Sequence, residues 1–265
     1  MHKSPMIRMM EDAVMKAGKA IARDFGEVEN LQVSKKGPRD FVTSADLRAD
    51  KILREELTRV RPHYSFLTEE SGYIKGQDEA HCWIIDPVDG TTNFMHGIPH
   101  FCISLALQET KPNGKKEIVA GIVFAPALQE LYWAERGQGA YLHNRRLQVS
   151  GRDNLSDALV AIYPSREDAR ITHKLVDAVE TMGCTMRNFG AAALDLAYVA
   201  SGRLDGFFHP KLKSWDMAAG ILIVREARGM VTDAGGGDTM FESGQLLATN
   251  QHLNDEMRRL LVGIV

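Results

Sequence analysis

Apolar residues recur at every third or fourth position in two stretches near the start of the chain. Residues 5–25 follow this spacing and Gly26 comes directly after them, which predicts an amphipathic helix that ends at a glycine. Residues 45–60 repeat the pattern, with Ser44 as the candidate N-cap and Pro62 as the stop. The chain therefore predicts two helices, each with one buried face.

Short apolar runs follow, separated by turns that contain Pro, Asn and Gly. Runs of this length between such turns are typical of β-strands. We expect strands at 64–68, 82–86, 101–108, 117–124 and 130–134. Together with the two helices, they predict a first part, residues 1–150, of the α+β class with a mostly antiparallel sheet.

The pattern changes near Ser150, where strand-like and helix-like segments begin to alternate. Strands are expected at 158–163, 184–188, 204–208 and 229–233, and helices at about 166–181, 190–201 and 215–227. Alternation of this kind indicates an α/β arrangement. Residues 151–265 are therefore predicted to form a second part, of the α/β class.

Composition and charge narrow the classes of function. Of the 265 residues, 32 are basic and 35 are acidic, and the formal net charge of −3 offers no basic field that would favour nucleic acid. No apolar run reaches the length of about 18 residues that a membrane-spanning helix needs. The three cysteines lie far apart and form no CxxC motif, which is typical of a reducing compartment. We expect a cytoplasmic protein with neither a membrane nor a nucleic-acid partner.

The stretch WIIDPVDGTTNF, residues 83–94, places two aspartates directly after an apolar run. In a core, Asp86 and Asp89 would raise each other's pKa unless a cation lies between them. Carboxylates without Cys or His neighbours suit Mg²⁺, Mn²⁺ or Ca²⁺ better than Zn²⁺, and none of the nine histidines shows HExxH spacing. The pattern therefore predicts a metal site with oxygen ligands.

The same stretch predicts an anion site. Gly90 allows a tight turn, after which the amides of Gly90, Thr91 and Thr92 can point at a phosphate. Two metal ions beside convergent amides form an arrangement that hydrolyses phosphate esters with an activated water.

Three further acidic residues lie at the ends of predicted elements, where sites commonly form. Glu69 follows a strand in TEESG, whereas Asp46 and Asp216 each lie in the first turn of a predicted helix. Each also has an ordinary structural explanation, because acidic residues favour helix N-termini and solvated turns. Taken one by one, these positions leave both interpretations open.

Two families share parts of these motifs. DPVDGT differs from the haloacid-dehalogenase signature DxDGT because two residues separate its aspartates, so an aspartyl-phosphate mechanism is not expected. The chain more closely resembles the inositol monophosphatase family, and within it the bacterial inositol-1-monophosphatase branch. TEESG, WIIDPVDGTTNF and WDMAAG occur in the family's order, together with DFVTSAD and GAAALDLAYVASGRLDGFF, and the resemblance runs from about residue 6 to 262.

This resemblance implies a fold and an activity. The fold is the layered αβαβα sandwich of the sugar-phosphatase superfamily, usually as a homodimer. The activity is the Mg²⁺-dependent, lithium-sensitive hydrolysis of inositol monophosphate to inositol and phosphate. Two to three Mg²⁺ ions are implied, held by Glu69, Asp86, the Val88 carbonyl, Asp89 and Asp216. Most of these ligands lie in residues 1–150, and the second part supplies the last ligand and substrate contacts.

The resemblance also implies roles for individual side chains. Glu69 and Thr91 would position and help deprotonate the attacking water, and Asp46 would orient Thr91. The implied substrate-binding residues are Lys35, Asp89, Gly90, Thr91, Arg187, Gly190, Ala191, Ala192, His209 and Asp216.

One position departs from the family pattern. His209 stands seven residues before Asp216, where members that handle inositol usually have Glu. The departure is explained either by drift in a loop at the substrate rim or by an altered substrate. Two alternative functions also stay open. One is a related phosphatase with the same metal site, acting on fructose-1,6-bisphosphate, histidinol phosphate or 3′-phosphoadenosine phosphate, and the other is a regulatory binding role on a dimer surface.

Overall fold

In the computed structural model the described residues are 3–26, 33–37, 40–164 and 168–264, and for 33–37, 40–42 and 182 only the backbone is described. Within these ranges, no helix has the length and apolar character needed to cross a membrane.

Both N-terminal helices form where the apolar spacing predicts them. They are α1 (Pro5–Gly26) and α2 (Ser44–Val60), which pack against each other. The N-cap of α2 is Thr43 rather than Ser44, because the Thr43 hydroxyl accepts the amide of Ala45 and the Asp46 carboxylate accepts the Thr43 amide at 3.0 Å. This reciprocal capping box fixes the start of the helix and the position of Asp46.

The first large sheet has eight strands in the order β10-β9-β8-β7-β6-β5-β3-β4. All of its neighbouring pairs are antiparallel except the parallel pair β3–β5, as expected for the first part. A separate hairpin is formed by β1 (Val33–Gly37) and β2 (Asp40–Thr43). The strands of the large sheet are β3 (Ser65–Thr68), β4 (Gly72–Ile74), β5 (His81–Asp89), β6 (Cys102–Thr110), β7 (Lys116–Ala125), β8 (Glu130–Glu135), β9 (Gly139–Leu142) and β10 (Arg145–Arg146).

Strand β5 is longer than predicted, because it continues past Asp86 and through Pro87 to Asp89. Asp86 pairs with Ser104 and Asp89 pairs with Cys102, so β5 carries one extra residue against β6. Such a bulge tolerates a proline without a ladder hydrogen bond and re-aims the neighbouring side chains. Here it leaves two carboxylates buried at one strand end.

The second sheet has five strands in the order β12-β11-β13-β15-β14. β11 lies parallel to β12 and β13, whereas β15 is antiparallel to β13 and β14. Its strands are β11 (Leu159–Ile162), β12 (Thr185–Arg187), β13 (Gly206–His209), β14 (Met230–Thr232) and β15 (Leu246–Thr249), and the remaining helices are α3 (Thr91–Met95), α4 (Ala169–Met182), α5 (Ala192–Ala200), α6 (Ser214–Glu226), α7 (Met240–Ser243) and α8 (Asn254–Leu261).

Five layers result from the packing of these elements. α1 and α2 cover one face of the first sheet, α5 and α6 fill the space between the two sheets, and α4 and α8 lie beyond the second sheet. The predicted αβαβα sandwich is confirmed. The division at residue 150 stays a prediction, although the two sheets fall on either side of it.

Candidate functional site

Two aspartates at the end of β5 form the centre of the candidate site. Asp86 and Asp89 are 2% and 9% exposed, and Val88 lies between them. The Val88 amide donates to the Asp86 carboxylate at 3.0 Å, which bends the chain at this point. Asp89 accepts the Ala193 amide at 2.7 Å, so the first turn of α5 holds this carboxylate.

Two more acidic residues approach from other elements. Glu69 follows β3, the parallel neighbour of β5, and its amide donates to the Ile85 carbonyl at 3.2 Å. Asp216 lies in the first turn of α6, where its carboxylate accepts the Lys213 amide at 2.8 Å. The adjacent Trp215 carbonyl accepts the hydroxyl of Ser104 at 3.0 Å, so the start of α6 is bound to β6.

These carboxylates destabilise one another's charged forms. Burial raises the pKa of Asp86 well above its usual range, and the charges of Glu69, Asp89, Asp216 and Asp46 raise it further. Burial also raises the pKa of Asp89, as does Asp216, while the Ala193 amide opposes this shift. The structure therefore brings the predicted acidic residues into electrostatic contact. We call Glu69, Asp86, Asp89 and Asp216 the acidic cluster.

The donor set of the acidic cluster fits a hard divalent cation. Several buried carboxylates become stable together when a positive charge lies among them. Among the described residues, no three His, Cys, Asp or Glu side chains form one group able to hold an ion. Mg²⁺ does not need such a cage, because it commonly binds one or two protein carboxylates and keeps several waters. Carboxylates distributed over β3, β5 and α6 suit that mode of binding.

A hydroxyl and a second carboxylate lie next to the acidic cluster. The Thr91 hydroxyl lies 3.0 Å from the Val88 carbonyl and 3.3 Å from Asp46 Oδ1. Asp46 is 1% exposed, and burial raises its pKa while the hydrogen bonds from Thr43 and Thr91 oppose the shift. Since Asp46 is fixed by the capping box of α2, it holds the Thr91 hydroxyl in one orientation.

Gly90 makes the turn between β5 and α3 possible. Its φ is +94°, and a Cβ at this position would lie 3.0 Å from the His100 carbonyl oxygen and 3.1 Å from Ala191 Cβ. A side chain would therefore be strained and crowded here. Because α3 begins at the next residue, its first amides point out of the turn. The close contact also brings Ala191 to the acidic cluster.

The other predicted substrate residues occupy different surroundings. Gly190, Ala191 and Ala192 form the entry to α5, beside Gly90. His209 ends β13, and its Nδ1 accepts the Lys211 amide at 3.0 Å. The exposed Arg187 guanidinium donates to the Met186 carbonyl.

The Arg187 side chain therefore bonds to its own strand, β12. No contact that the structure describes connects Arg187 with the acidic cluster. The predicted role of Lys35 falls on a side chain outside the described residues, although its backbone forms part of β1.

Sequence reasoning missed several residues that hold this region together. Thr43 caps α2, and the spacing Thr43–Asp46 is a capping signal that sequence alone offers. Asp195 is a fully buried acid inside the apolar helix α5, which was also visible in the sequence as one acid among apolar residues. Its partners, Tyr163 and His100, are distant along the chain and have no such signal.

Comparison with known proteins places the chain among relatives of its own length. A model of the "Inositol monophosphatase family" matches residues 2–263. The chain is 51% identical over 264 residues to the inositol-1-monophosphatase of Rhizobium meliloti, covering 98% of this chain and 97% of the relative. It is 39% identical over 249 residues to "Nus factor SuhB" of Escherichia coli, covering 93% and 91%.

Solved structures agree with these sequence matches. The extragenic suppressor protein suhB from Bartonella henselae superposes with a TM-score of 0.92 and 47% identity, over 97% of this chain and 98% of that one. An IMPase from Thermotoga maritima gives a TM-score of 0.88 at 35% identity, over 98% of both chains.

The buried acids predict an unusual effect of one substitution. In chelator, Asp86→Asn removes a carboxylate whose pKa is raised by burial and by its acidic neighbours, so the melting temperature should rise by a few degrees at pH 7–8. Because the pKa of Asp86 is raised in the folded state, ionisation of this carboxyl lowers the free energy of unfolding. The gain should therefore shrink as the pH falls toward the ordinary aspartate range.

Thermal unfolding in EDTA between pH 5 and 8 measures this effect. The exposed Asp153→Asn serves as the control for loss of one surface charge. A melting temperature for Asp86→Asn equal to or below that of the control across this range would contradict the electrostatic account.

Proposed function

Because the chain belongs to the inositol monophosphatase family, we propose that it is a phosphomonoesterase that hydrolyses inositol monophosphate to inositol and phosphate with the help of Mg²⁺. The observation that carries this proposal is the acidic cluster, a set of mutually repelling carboxylates, two of them buried, at the end of β5. Such a set favours the cation that phosphate ester hydrolysis needs.

We propose that two to three Mg²⁺ ions bind to Glu69, Asp86, the Val88 carbonyl, Asp89 and Asp216. When bound, the ions offset the negative charge of the phosphate ester and lower the pKa of a bound water. The protein contributes by keeping the carboxylates in place before the ions arrive. Three backbone amides serve this purpose, those of Val88, Ala193 and Lys213.

Thr91 and Glu69 are the proposed residues for the attacking water. The Thr91 hydroxyl, oriented by Asp46 and the Val88 carbonyl, holds the water in line with the phosphorus. Glu69 accepts the proton that the water loses. A direct attack by water needs no covalent intermediate on the protein.

The substrate is proposed to lie between α3 and α5. The amides of Gly90 and Thr91 face the phosphate group, and Asp89 and Asp216 also line this space. The residues proposed to face the alcohol part are Arg187, Gly190, Ala191, Ala192 and His209, whereas Lys35 is proposed to approach the metal site. We also propose a homodimer, which the family resemblance supports, and a cytoplasmic location, which the three widely spaced cysteines support.

A regulatory role is the second candidate. It is supported by relatives named "Nus factor SuhB", one of which is 39% identical to this chain. The net charge of −3 gives no support to direct binding of RNA. All four carboxylates of the acidic cluster are present, which supports catalysis as the first candidate.

A panel of phosphate monoesters tests the metal mechanism. Release of phosphate from inositol monophosphate should require Mg²⁺, cease in EDTA and be inhibited by lithium. Asp89→Asn should lower kcat by at least about a hundredfold, because it removes one of the carboxylates proposed to bind Mg²⁺. Undiminished activity of the wild type in EDTA would refute the proposal. A wild type inactive on every monoester that nevertheless bound a macromolecule would favour the regulatory role.

The Thr91 hydroxyl offers a sharper test of the water-positioning step. Thr91→Val keeps the shape of the side chain but loses the hydroxyl that lies near Asp46 and Val88, so kcat should fall by about a hundredfold. Thr91→Ser restores the hydroxyl and should recover most of the rate. A rate for Thr91→Val equal to that of the wild type would show that only the shape of residue 91 matters.

His209 tests substrate choice. Its Nδ1 accepts the Lys211 amide, so a neutral ring carries its proton on Nε2 and offers no acceptor nitrogen to a substrate. A glutamate presents acceptors, which suit the hydroxyls of inositol. His209→Glu should therefore raise activity on inositol monophosphate several-fold relative to glycerol and sugar phosphates. The exposed His252→Glu controls for added charge. Unchanged relative activity would indicate that residue 209 has drifted without effect on the substrate.

A further inference from the structure

One fully buried carboxylate has no place in the proposed chemistry. Asp195 is 0% exposed and lies in the first turn of α5. Burying an ionisable group is costly unless hydrogen bonds compensate for the lost water. Two such bonds are present, because the Tyr163 hydroxyl donates to Asp195 Oδ2 at 2.8 Å and His100 Nε2 lies 2.9 Å from Oδ1.

The hydrogen bonds continue from Tyr163 to the entry of α5. The Gly190 amide donates to the Tyr163 hydroxyl oxygen at 2.8 Å. Tyr163 therefore accepts from the backbone turn and donates to the carboxylate, which uses its hydroxyl fully. Gly190 itself has a φ of +85°. Because glycine has little intrinsic preference for one backbone conformation, the bonds around the turn hold it in this one.

A second set of contacts holds the same turn from the opposite side. Asn93, in α3, donates to the carbonyl oxygens of Phe189 and His100 at 2.6 and 2.7 Å. The His100 ring stacks on the Phe189 ring, with centroids 5.0 Å apart. The turn that carries Gly190 is thus clamped between α3 and Tyr163.

These residues join three separate parts of the fold. His100 lies on the segment between α3 and β6, Tyr163 directly follows β11, and Asp195 belongs to the helix layer between the two sheets. Two residues before Asp195, the Ala193 amide holds Asp89 of the acidic cluster. The Tyr163 ring also contacts the ring of His209, at 5.0 Å between centroids.

We propose that His100, Asp195 and Tyr163 act as a positioning relay that fixes the Gly190 turn against the acidic cluster and so sets the affinity for the alcohol part of the substrate. The part of this proposal that concerns affinity rests on the proposed function, in which Gly190 and its neighbours face the alcohol. The three side chains are positioning residues, since each acts through the backbone turn that it holds.

The relay should affect binding more than turnover. Asp46 lies in α2, Glu69 follows β3, and the Thr91 hydroxyl at the start of α3 is oriented by Asp46 and the Val88 carbonyl. Among the contacts that the structure describes, no hydrogen bond joins His100, Asp195 or Tyr163 to these three residues. If the Gly190 turn is loosened, substrate binding must order it again, and the lost conformational entropy raises KM. It leaves the attacking water and its proton acceptor in place.

Tyr163→Phe is the decisive variant, and Tyr132→Phe is its matched control. Tyr132 is also buried, and its hydroxyl likewise makes two bonds, to Glu130 at 2.7 Å and from Arg203 at 2.9 Å. Both variants lose one hydroxyl with two partners. Only Tyr163→Phe should speed amide hydrogen exchange across residues 188–191 and raise KM for inositol monophosphate about three- to tenfold, the factor of one lost hydrogen bond, with kcat within twofold of the wild type.

Asp195→Ala, which removes both hydrogen-bonding oxygens, is measured alone and combined with Tyr163→Phe to show whether the residues act as a unit. The double variant should have a KM close to that of the weaker-binding single variant, because either change already breaks the same chain of bonds. A KM equal to the product of the two single effects would overturn the relay.

Hydrogen exchange separates this proposal from the proposed function. Unchanged exchange at 188–191 in Tyr163→Phe, or a KM effect shared equally by Tyr132→Phe, overturns the relay whatever the enzyme hydrolyses. Faster exchange in a protein that hydrolyses no phosphate monoester supports the relay as the clamp of the turn, and refutes the proposed function together with the effect on affinity.

Discussion

The repulsion among the carboxylates at the end of β5 is the constraint on which the rest of the site depends. Asp86 and Asp89 are buried in a core that would be more stable without their charges. The end of β5 is therefore locally destabilised, and a bound cation would relieve the repulsion between its carboxylates.

Backbone amides at helix starts are the common means by which the acids are held. The first turn of α5 donates to Asp89, the residue before α6 donates to Asp216, and the residue before α2 donates to Asp46. Such amides are left unpaired by the helix itself and favour negative charge. A lysine or arginine would neutralise the carboxylate that it orients. Backbone amides orient the carboxylates without cancelling their charge, which stays available to a cation.

Much of this arrangement was accessible from the sequence, for physical reasons that differ between elements. Helices α1 and α2 were predicted because their apolar spacing is long and regular, and the family resemblance was confirmed because its motifs are many and ordered. The extension of β5 through Pro87 was missed because a bulge depends on the partner strand. Strand β15 and helix α8 were also missed, and they span only four and eight residues. The Asp195 contacts were missed because they join residues 32 and 95 positions away.

The five layers also explain why no smaller unit of this chain is expected to carry the site. Glu69, Asp86 and Asp89 belong to the first sheet, Asp216 to the helix layer, and His209 to the second sheet. The entry to α5 contacts both sides, through Asp89 toward the first sheet and through Tyr163 toward the second. The inner helices therefore do more than fill space between sheets. Their contacts fix the two sheets relative to each other. The carboxylates and the surface proposed to meet the alcohol therefore keep their relative positions.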